Sequence, residues 1–346
     1  MAIFEKYNDS IMSHKKTAFS ILDLAIISKG KSLKQTFDDS LALAQMADTD
    51  GYTRYWLAEH HNSDAIGSSA TSILIGKIAE GTERIRVGAG GIMLPNHSPL
   101  IIAEQFGTLG TLYPNRIDLG LGRAPGTDQA TASAIRSDFY QAAMAFPEEV
   151  QKIQNYFSTN NATQPVRAHV AEGVAVPIYI LGSSTNSAHL AAEKGLPYAF
   201  ASHFASPQLL QALAIYHREF QPSVALDKPF TIAGISVIVA DTDAQAEFIS
   251  SSYYERVIGI LTGDRGQMIA PFEMNNRLRE VIQQPAVQQM TKYAFIGSKE
   301  TVKKGIKAFI DTQVDELIVA THVFSSQDRV KSYKLFAEIM RELNEE

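Results

Sequence analysis

Residues 84–128, RIRVGAGGIMLPNHSPLIIAEQFGTLGTLYPNRIDLGLGRAPGTD, constrain the fold more than any other stretch of the chain. Residues 84–93 are rich in β-branched and apolar side chains and stop at Pro95, which reads as a strand. Residues 99–112 carry apolar side chains at helical spacing, with Pro99 suited to a first helical turn and Ser98 placed as its N-cap. Residues 116–121, RIDLGL, read as a second buried strand. Two strands joined by a helix form a βαβ unit, which makes them parallel. Glycines cluster at the strand ends, where backbone must approach something closely. A β/α barrel carries its active site at that end of its strands.

The same alternation runs through the rest of the chain. Strand patterns fall at 18–27, 52–57, 84–93, 116–121, 177–181, 198–202, 230–239 and 316–320. Helical patterns follow at 32–48, 68–79, 99–112, 128–157, 186–195, 206–220, 243–261, 300–311 and 327–343. In 32–48 the apolar face runs through Leu33, Phe37, Leu41, Ala44 and Ala47, and Gly195 sits where a helix C′ residue belongs. Residues 263–289 lack a clear period and read as an excursion or lid. Eight βα repeats point to an α/β fold of the (β/α)8 TIM-barrel type more than to a doubly wound sheet. No Gly-x-Gly-x-x-Gly follows the first strand, which further weakens a Rossmann reading. No linker or low-complexity tract divides the chain, so one domain is expected over 1–346, with a loosely ordered polar leader over 1–16.

Composition narrows the function classes. The net charge of −6 argues against non-specific affinity for nucleic acid or an anionic membrane. Without cysteine there is no disulfide, thiolate nucleophile or Cys-ligated metal, and a reducing cytoplasm fits. The N-terminal residues have no continuous apolar run that would suggest a signal peptide. No apolar run reaches the ~18 residues of a membrane helix, so no span is expected.

The candidate chemistry sits at the strand ends. Glu59-His60-His61 follows the second strand, where a histidine can act as a base or donate to a ligand; alternatively these residues brace neighbouring loops. Adjacent side chains on extended backbone point apart, so the two histidines are poorly placed to share a metal. Gly90-Gly91 within a strand suits backbone lying flat against a planar ligand, or equally tight packing against a bulky neighbour. Arg123 at the end of the fourth strand can grip a phosphate or pair with Asp118 or Asp128. The loop Gly182-Ser183-Ser184-Thr185-Asn186-Ser187 leads into a helix N-terminus, which favours an anion, although Ser184 or Asn186 can also cap that helix. Trp56 reads as core, Tyr253-Tyr254 as packing against the barrel, and 338–346 as a solvated helix tail. His322 can face the pocket or the surface.

Three segments in order, YWLAEHHN, the long block over 87–128, and PIYILGSSTNSAHLAAEKGLPYAF, resemble the bacterial luciferase-like family of flavin-dependent monooxygenases. The resemblance spans roughly 18–203, and GSKETVKKGI to VDELIV fits the family's end; the sequence looks closer to a widespread bacterial group than to light-emitting luciferases. It implies a TIM barrel with a long insertion after strand seven, matching 263–289. It places a non-prolyl cis peptide bond of luciferase at Gly90-Gly91, against the flavin ring. The phosphate grip falls on Arg123, Gly182, Ser183, Ser184 and Ser187. Luciferase has Glu at the Ser183 position, with contact through backbone N–H. A second phosphate-binding arginine has no clear match, Arg136 being a guess, and the catalytic histidine aligns with His60. The implied cofactor is reduced FMN supplied by a separate flavin reductase, acting with O2 on a small molecule and without metal. The alternatives are an F420-dependent dehydrogenase of the same superfamily, a flavin-binding protein without turnover, and a metal-dependent hydrolase built on His60 and His61. The resemblance also implies a homodimer packed through 68–79 and 100–112.

Overall fold

A computed structural model describes residues 16–346 apart from 311 and 313. All but one residue of the polar leader therefore lie outside the described residues. Among the described residues nine strands run in the order β1 Ala18–Asp23, β2 Arg54–Leu57, β3 Arg86–Met93, β4 Ile117–Gly122, β5 Ile178–Gly182, β6 Tyr198–Phe200, β7 Thr231–Val239, β8 Ala294–Gly297 and β9 Glu316–Ala320. Every pairing is parallel, and β1 to β7 are neighbours in sequence order. β9 pairs with both β7 and β1, closing eight strands into a barrel with helices between them. This is a TIM-barrel type α/β fold, as the alternation predicts.

β8 has no counterpart among the sequence expectations. It pairs only with Ser236–Val239 of β7, whereas β9 pairs with Ile232–Ser236. The long β7 thus closes the barrel with one half and extends the sheet with the other. Four residues behind an aperiodic stretch, three of them half-buried, leave little strand signal.

Local sequence explains several helix boundaries. Leu33–Thr49 begins at a capping box: the Ser32 side chain accepts from the Gln35 N–H, and the Gln35 side chain accepts from the Ser32 N–H. Its buried stripe is Thr36, Ser40, Leu43, Ala44 and Ala47, while Leu33 stays exposed. The expected apolar face is therefore rotated, because Ser40 turns inward to donate to Asp23 at 2.6 Å. Pro99–Leu112 starts at its proline as predicted, but Ser98 makes no side-chain cap bond. The expected helix over 128–157 breaks into Gln129–Ile135, Phe139–Met144 and Phe146–Phe157. Arg136 turns extended after the first of these, and Pro147 sits in the first turn of the third. Gly195 takes a φ of 58° just past Thr185–Glu193, as a C′ residue does.

Between β7 and β8 lie Asp243–Thr262, an irregular segment, and the short helices Asn276–Ile282 and Pro285–Met290. Gly263, with a φ of 86°, ends the long helix. The irregular segment is tied to the loop after β1: the Lys29 N–H donates to Met268 O at 2.8 Å, and the Met268 N–H to Ile27 O at 3.0 Å. The acidic tail is more than solvated surface, because Lys299 and Lys303 reach Glu338 and Glu342 at 2.9 and 2.8 Å. Ile73 and Leu112 stay 72% and 64% exposed on the helices Thr71–Glu80 and Pro99–Leu112.

The N-terminal ends of the strands share a buried charge network. Arg54, the first residue of β2, donates to Asp118 at 2.7 Å and to Glu316 at 2.7 and 2.9 Å. Arg86 donates to the other Asp118 oxygen at 2.9 Å. The Trp56 indole N–H reaches Asp118 at 3.1 Å, so Trp56 is core with its polar edge satisfied. Nearby anions hold the Arg54 guanidinium well above its ordinary value despite burial. Removing Arg54 leaves Glu316 without a cation among the described residues and Asp118 with Arg86 alone, at a cost of about 3–5 kcal/mol. Arg54→Met should therefore lower the unfolding free energy by about that much in urea titrations, whereas an exposed pair such as Lys34–Asp38 should change it by less than about 1 kcal/mol.

Candidate active site

The C-terminal strand ends surround a cavity of about 970 Å³. That is at the top of the range for sites that hold one drug-sized ligand. Of the sequence-predicted residues, His60, Gly90, Arg123, Gly182, Ser183, Ser184 and Ser187 all line it. Gly91 is not among the lining residues. The Gly90-Gly91 bond is cis, and the β3–β4 register shifts between Gly90 and Ile92. A Cβ on Gly91 would lie 2.8 Å from Gly120 O, and one on Gly90 2.9 Å from the Trp56 ring. The tight-packing reading of the glycine pair holds, since neighbours exclude side chains at both positions, and Gly90 also lines the cavity.

Adjacent His60 and His61 diverge. His60 Nδ1 lies 3.0 Å from Gly126 O. A carbonyl only accepts, so Nδ1 carries the proton and Nε2 keeps its lone pair. Burial is the largest cause lowering the His60 pKa, with the Arg256 charge adding to it, so the ring is neutral at pH 7. His61 turns instead to Glu59, its Nε2 donating at 2.8 Å. Glu59 also accepts from His97 Nε2 at 2.9 Å, from Asn96 Nδ2 at 3.0 Å and from the Met93 N–H at 2.9 Å. His61 thus braces the loops through Glu59, while His60 keeps a free Nε2 on the cavity lining. Among the described residues no three His, Asp or Glu side chains converge in a metal-ligating arrangement.

The β4 and β5 ends form one side of the cavity rim. Arg123 is exposed and pairs with neither expected carboxylate: Asp118 is held by Arg54 and Arg86, and Asp128 caps Gln129–Ile135 through the Thr131 N–H at 3.0 Å. On β5, a Cβ at Gly182 would meet Ser187 Oγ at 1.7 Å, so only glycine fits. The Ser187 hydroxyl donates to Ser184 O at 2.7 Å and thereby shapes the loop. Neither Ser184 nor Asn186 caps Thr185–Glu193; its one side-chain contact at the start is Gln208 Oε1, which accepts from the Thr185 N–H at 3.1 Å. The next two residues of that first turn, Asn186 and Ser187, line the cavity at the positive end of the helix dipole.

Arg136 does not supply a second grip. It lies outside the lining, donates to His97 O at 2.8 Å and pairs with Asp138 at 2.8 Å. Sequence reasoning also missed Arg256 and His203, which line the cavity with His322 and Tyr253. Arg256 lies within the helix Asp243–Thr262, far from any strand end, so position in the βα repeat offers no signal for it. The cavity floor and walls include Leu22, Leu24, Leu181 and Ile260, which suit the apolar faces of a planar ring.

Glu59 makes the site's stability acid-sensitive. Burial opposes its charge, but hydrogen bonds from His61, His97 and Asn96 win and bring it down to about 2 from an ordinary 4.5. The folded value lies below the unfolded one, so this stabilisation is complete above pH 4.5 and disappears as pH falls toward 2. Stability measured across that window should fall less steeply in Glu59→Gln than in the wild type, and Glu59→Gln should be less stable at pH 7.

Comparisons with known proteins agree with this architecture. A family model described as luciferase-like monooxygenase matches residues 17–316. A luciferase-like monooxygenase of Escherichia coli (strain K12) is 44% identical over 333 residues, 96% of this chain and 99% of that protein. An N-acetyl-S-alkylcysteine monooxygenase of Bacillus subtilis (strain 168) is 30% identical over 327 residues, 92% of this chain and 97% of its own. The crystal structure of apo-MsnO8 superposes with a TM-score of 0.85 at 29% identity, covering 94% of this chain and 98% of that one. The fold alone is shared with a type II Baeyer-Villiger monooxygenase from Pseudomonas putida in complex with FMN (18% identity, TM-score 0.71, 94% and 98% covered). It is shared likewise with an F420-dependent secondary alcohol dehydrogenase (15%, 0.70, 94% and 99% covered). This chain belongs to the luciferase-like monooxygenase family.

Proposed function

We propose that the protein is a monooxygenase that uses reduced FMN and O2 on a small organic substrate, with a separate flavin reductase as electron source. The observation that carries this reading is the convergence on one cavity of an uncommitted Arg123, a helix N-terminus that Ser184 leaves without a side-chain cap, and a neutral His60. Arg123 and the Ser183–Ser184 backbone would hold the dianionic phosphate, since charge-assisted bonds and the helix dipole favour it. The backbone at Gly90 would lie along the ring, with Leu22 and Leu181 beside it. Gly91 serves from behind, keeping β3 tight against β4. When bound, reduced flavin supplies the electrons that let one oxygen atom enter the substrate while the other leaves as water.

The chain's own contribution is binding, exclusion of water and proton movement. His60 Nε2 accepts or returns a proton at the reacting centre, while Gly126 O fixes its tautomer through Nδ1. The segment between β7 and β8 forms one wall of the cavity through Asp264, Arg265 and Met290 and limits water entry. Self-association through Thr71–Glu80 and Pro99–Leu112 is part of the proposal, supported by the exposed Ile73, Ile101 and Leu112. Sedimentation at micromolar concentration should give twice the chain mass.

Anaerobic titration with reduced FMN, followed by mixing with oxygen, tests the cofactor and the histidine separately. Arg123→Ala should weaken binding by roughly 10–100-fold, the value of one or two charge-assisted bonds at about 1.5–3 kcal/mol. His60→Ala should bind normally but change the rate at which oxidised flavin reappears. Binding of F420 with no affinity for reduced FMN would replace this reading with a hydride-transferring dehydrogenase.

A further inference from the structure

Arg256 has no part in the phosphate grip described above. It is half-buried, with part of its surface on the cavity, and its Nε is sealed from solvent without a hydrogen-bond partner. No ion pair or hydrogen bond reaches its guanidinium among the described residues. The carboxylates that share the cavity are otherwise placed. Glu59 is saturated by His61, His97, Asn96 and the Met93 N–H, and Asp128 caps a helix. Asp64 and Asp264 are exposed at the rim.

The neighbours of Arg256 are bases, not acids. His60, His203 and His322 all line the same cavity, and Tyr253 lies one turn before Arg256 on the same helix. His203 Nδ1 and His322 Nε2 are themselves buried without partners. Burial holds His203 down to about 4 and His322 well below the usual imidazole range, so both are neutral at pH 7. Burial also brings Arg256 down to about 10, which leaves it protonated at neutral pH. The cluster therefore holds one positive charge and several hydrogen-bonding nitrogens with nothing anionic to meet them. An arrangement like this is expensive unless a ligand completes it.

We propose that Arg256, flanked by His203 and His322, is the recognition site for a carboxylate on the organic substrate. The planar guanidinium fork matches a carboxylate in two parallel bonds. Val257, Ile260 and Met290 line the cavity near it and suit an apolar remainder. The substrate class is thus a carboxylic acid with an apolar body. Its acid end is fixed at Arg256, and the cofactor phosphate is held separately at Arg123. The assignment of substrate rests on the monooxygenase reading; the anion site itself does not need flavin to be measured.

Calorimetric titration of the full chain, free of flavin, with hexanoate and with its neutral isostere hexanamide tests the site. The wild type should bind hexanoate at least tenfold more tightly. Arg256→Met should bind both equally, and Arg256→Lys should keep part of the preference. Reduced FMN should bind Arg256→Met as it binds the wild type, and Arg123→Ala should keep the hexanoate preference. The proposal is overturned if hexanoate does not bind the wild type, or binds no better than hexanamide. It is overturned equally if Arg256→Met retains the preference, or if that variant loses reduced FMN as Arg123→Ala does, which would place the cofactor phosphate at Arg256. Should Arg256→Met fail to fold, the wild-type ratio and Arg256→Lys decide. Failure of the wild type to bind reduced FMN would count against the flavin reading alone.

Discussion

A positive charge enclosed inside a barrel must be neutralised where it stands, and Arg54 shows how this chain does it. Its guanidinium lies among the first residues of β2, β4 and β9 and is matched by Asp118 and Glu316. Because these partners come from strands distant in sequence, the charge network forms only when the barrel closes. Tyr179 and Trp56 pack around it, with the guanidinium 5.1 and 5.5 Å from their ring centres. One end of the barrel is thereby rigid, with its charges internally satisfied. The opposite end is free to be built for ligands.

That opposite end follows a different electrostatic rule. Glu59, a deeply buried carboxylate beside the cavity, is spent on holding loops together, through two histidines, an asparagine and a backbone N–H. The arginines that line the cavity meet no carboxylate among the described residues: Arg123 and Arg265 are exposed, and Arg256 lies within the wall. Arg54 is raised by its partners while Arg256 is lowered by desolvation, though both sit in protein interior. The difference lies wholly in the company each keeps. Arginine neutralised by carboxylates at one end of the barrel, and arginines on the cavity without them at the other, are the basis on which anions are proposed at the mouth.

The barrel was legible because its signal is repetitive: each strand of apolar and β-branched residues is followed by a helical period, so one weak element costs little. β8 escaped because it stands outside the repeat, four residues long with three of them only half-buried. The rotated face of Leu33–Thr49 escaped because Ser40 is buried for a hydrogen bond, which hydrophobic patterning cannot see. At the site, His60, Arg123 and the 182–187 loop were legible because they follow strands directly. Arg256 and His203 were not: the first lies in the fourth turn of a helix, and the second in the loop after the short β6. Their role depends on a helix crossing the barrel mouth, which is a tertiary fact. Arg136 was misplaced for the same reason, since nearness in sequence to Arg123 did not predict its pairing with Asp138.

The central claim is that the two mouth arginines divide the work, Arg123 holding a cofactor phosphate and Arg256 remaining available to substrate. Phosphorus-31 NMR of reduced FMN bound to the full chain reads the phosphate environment directly. The account predicts a bound resonance distinct from free FMN, moved in Arg123→Lys and unmoved in Arg256→Lys. A resonance unaffected at Arg123, or shifted by the Arg256 change, would contradict it.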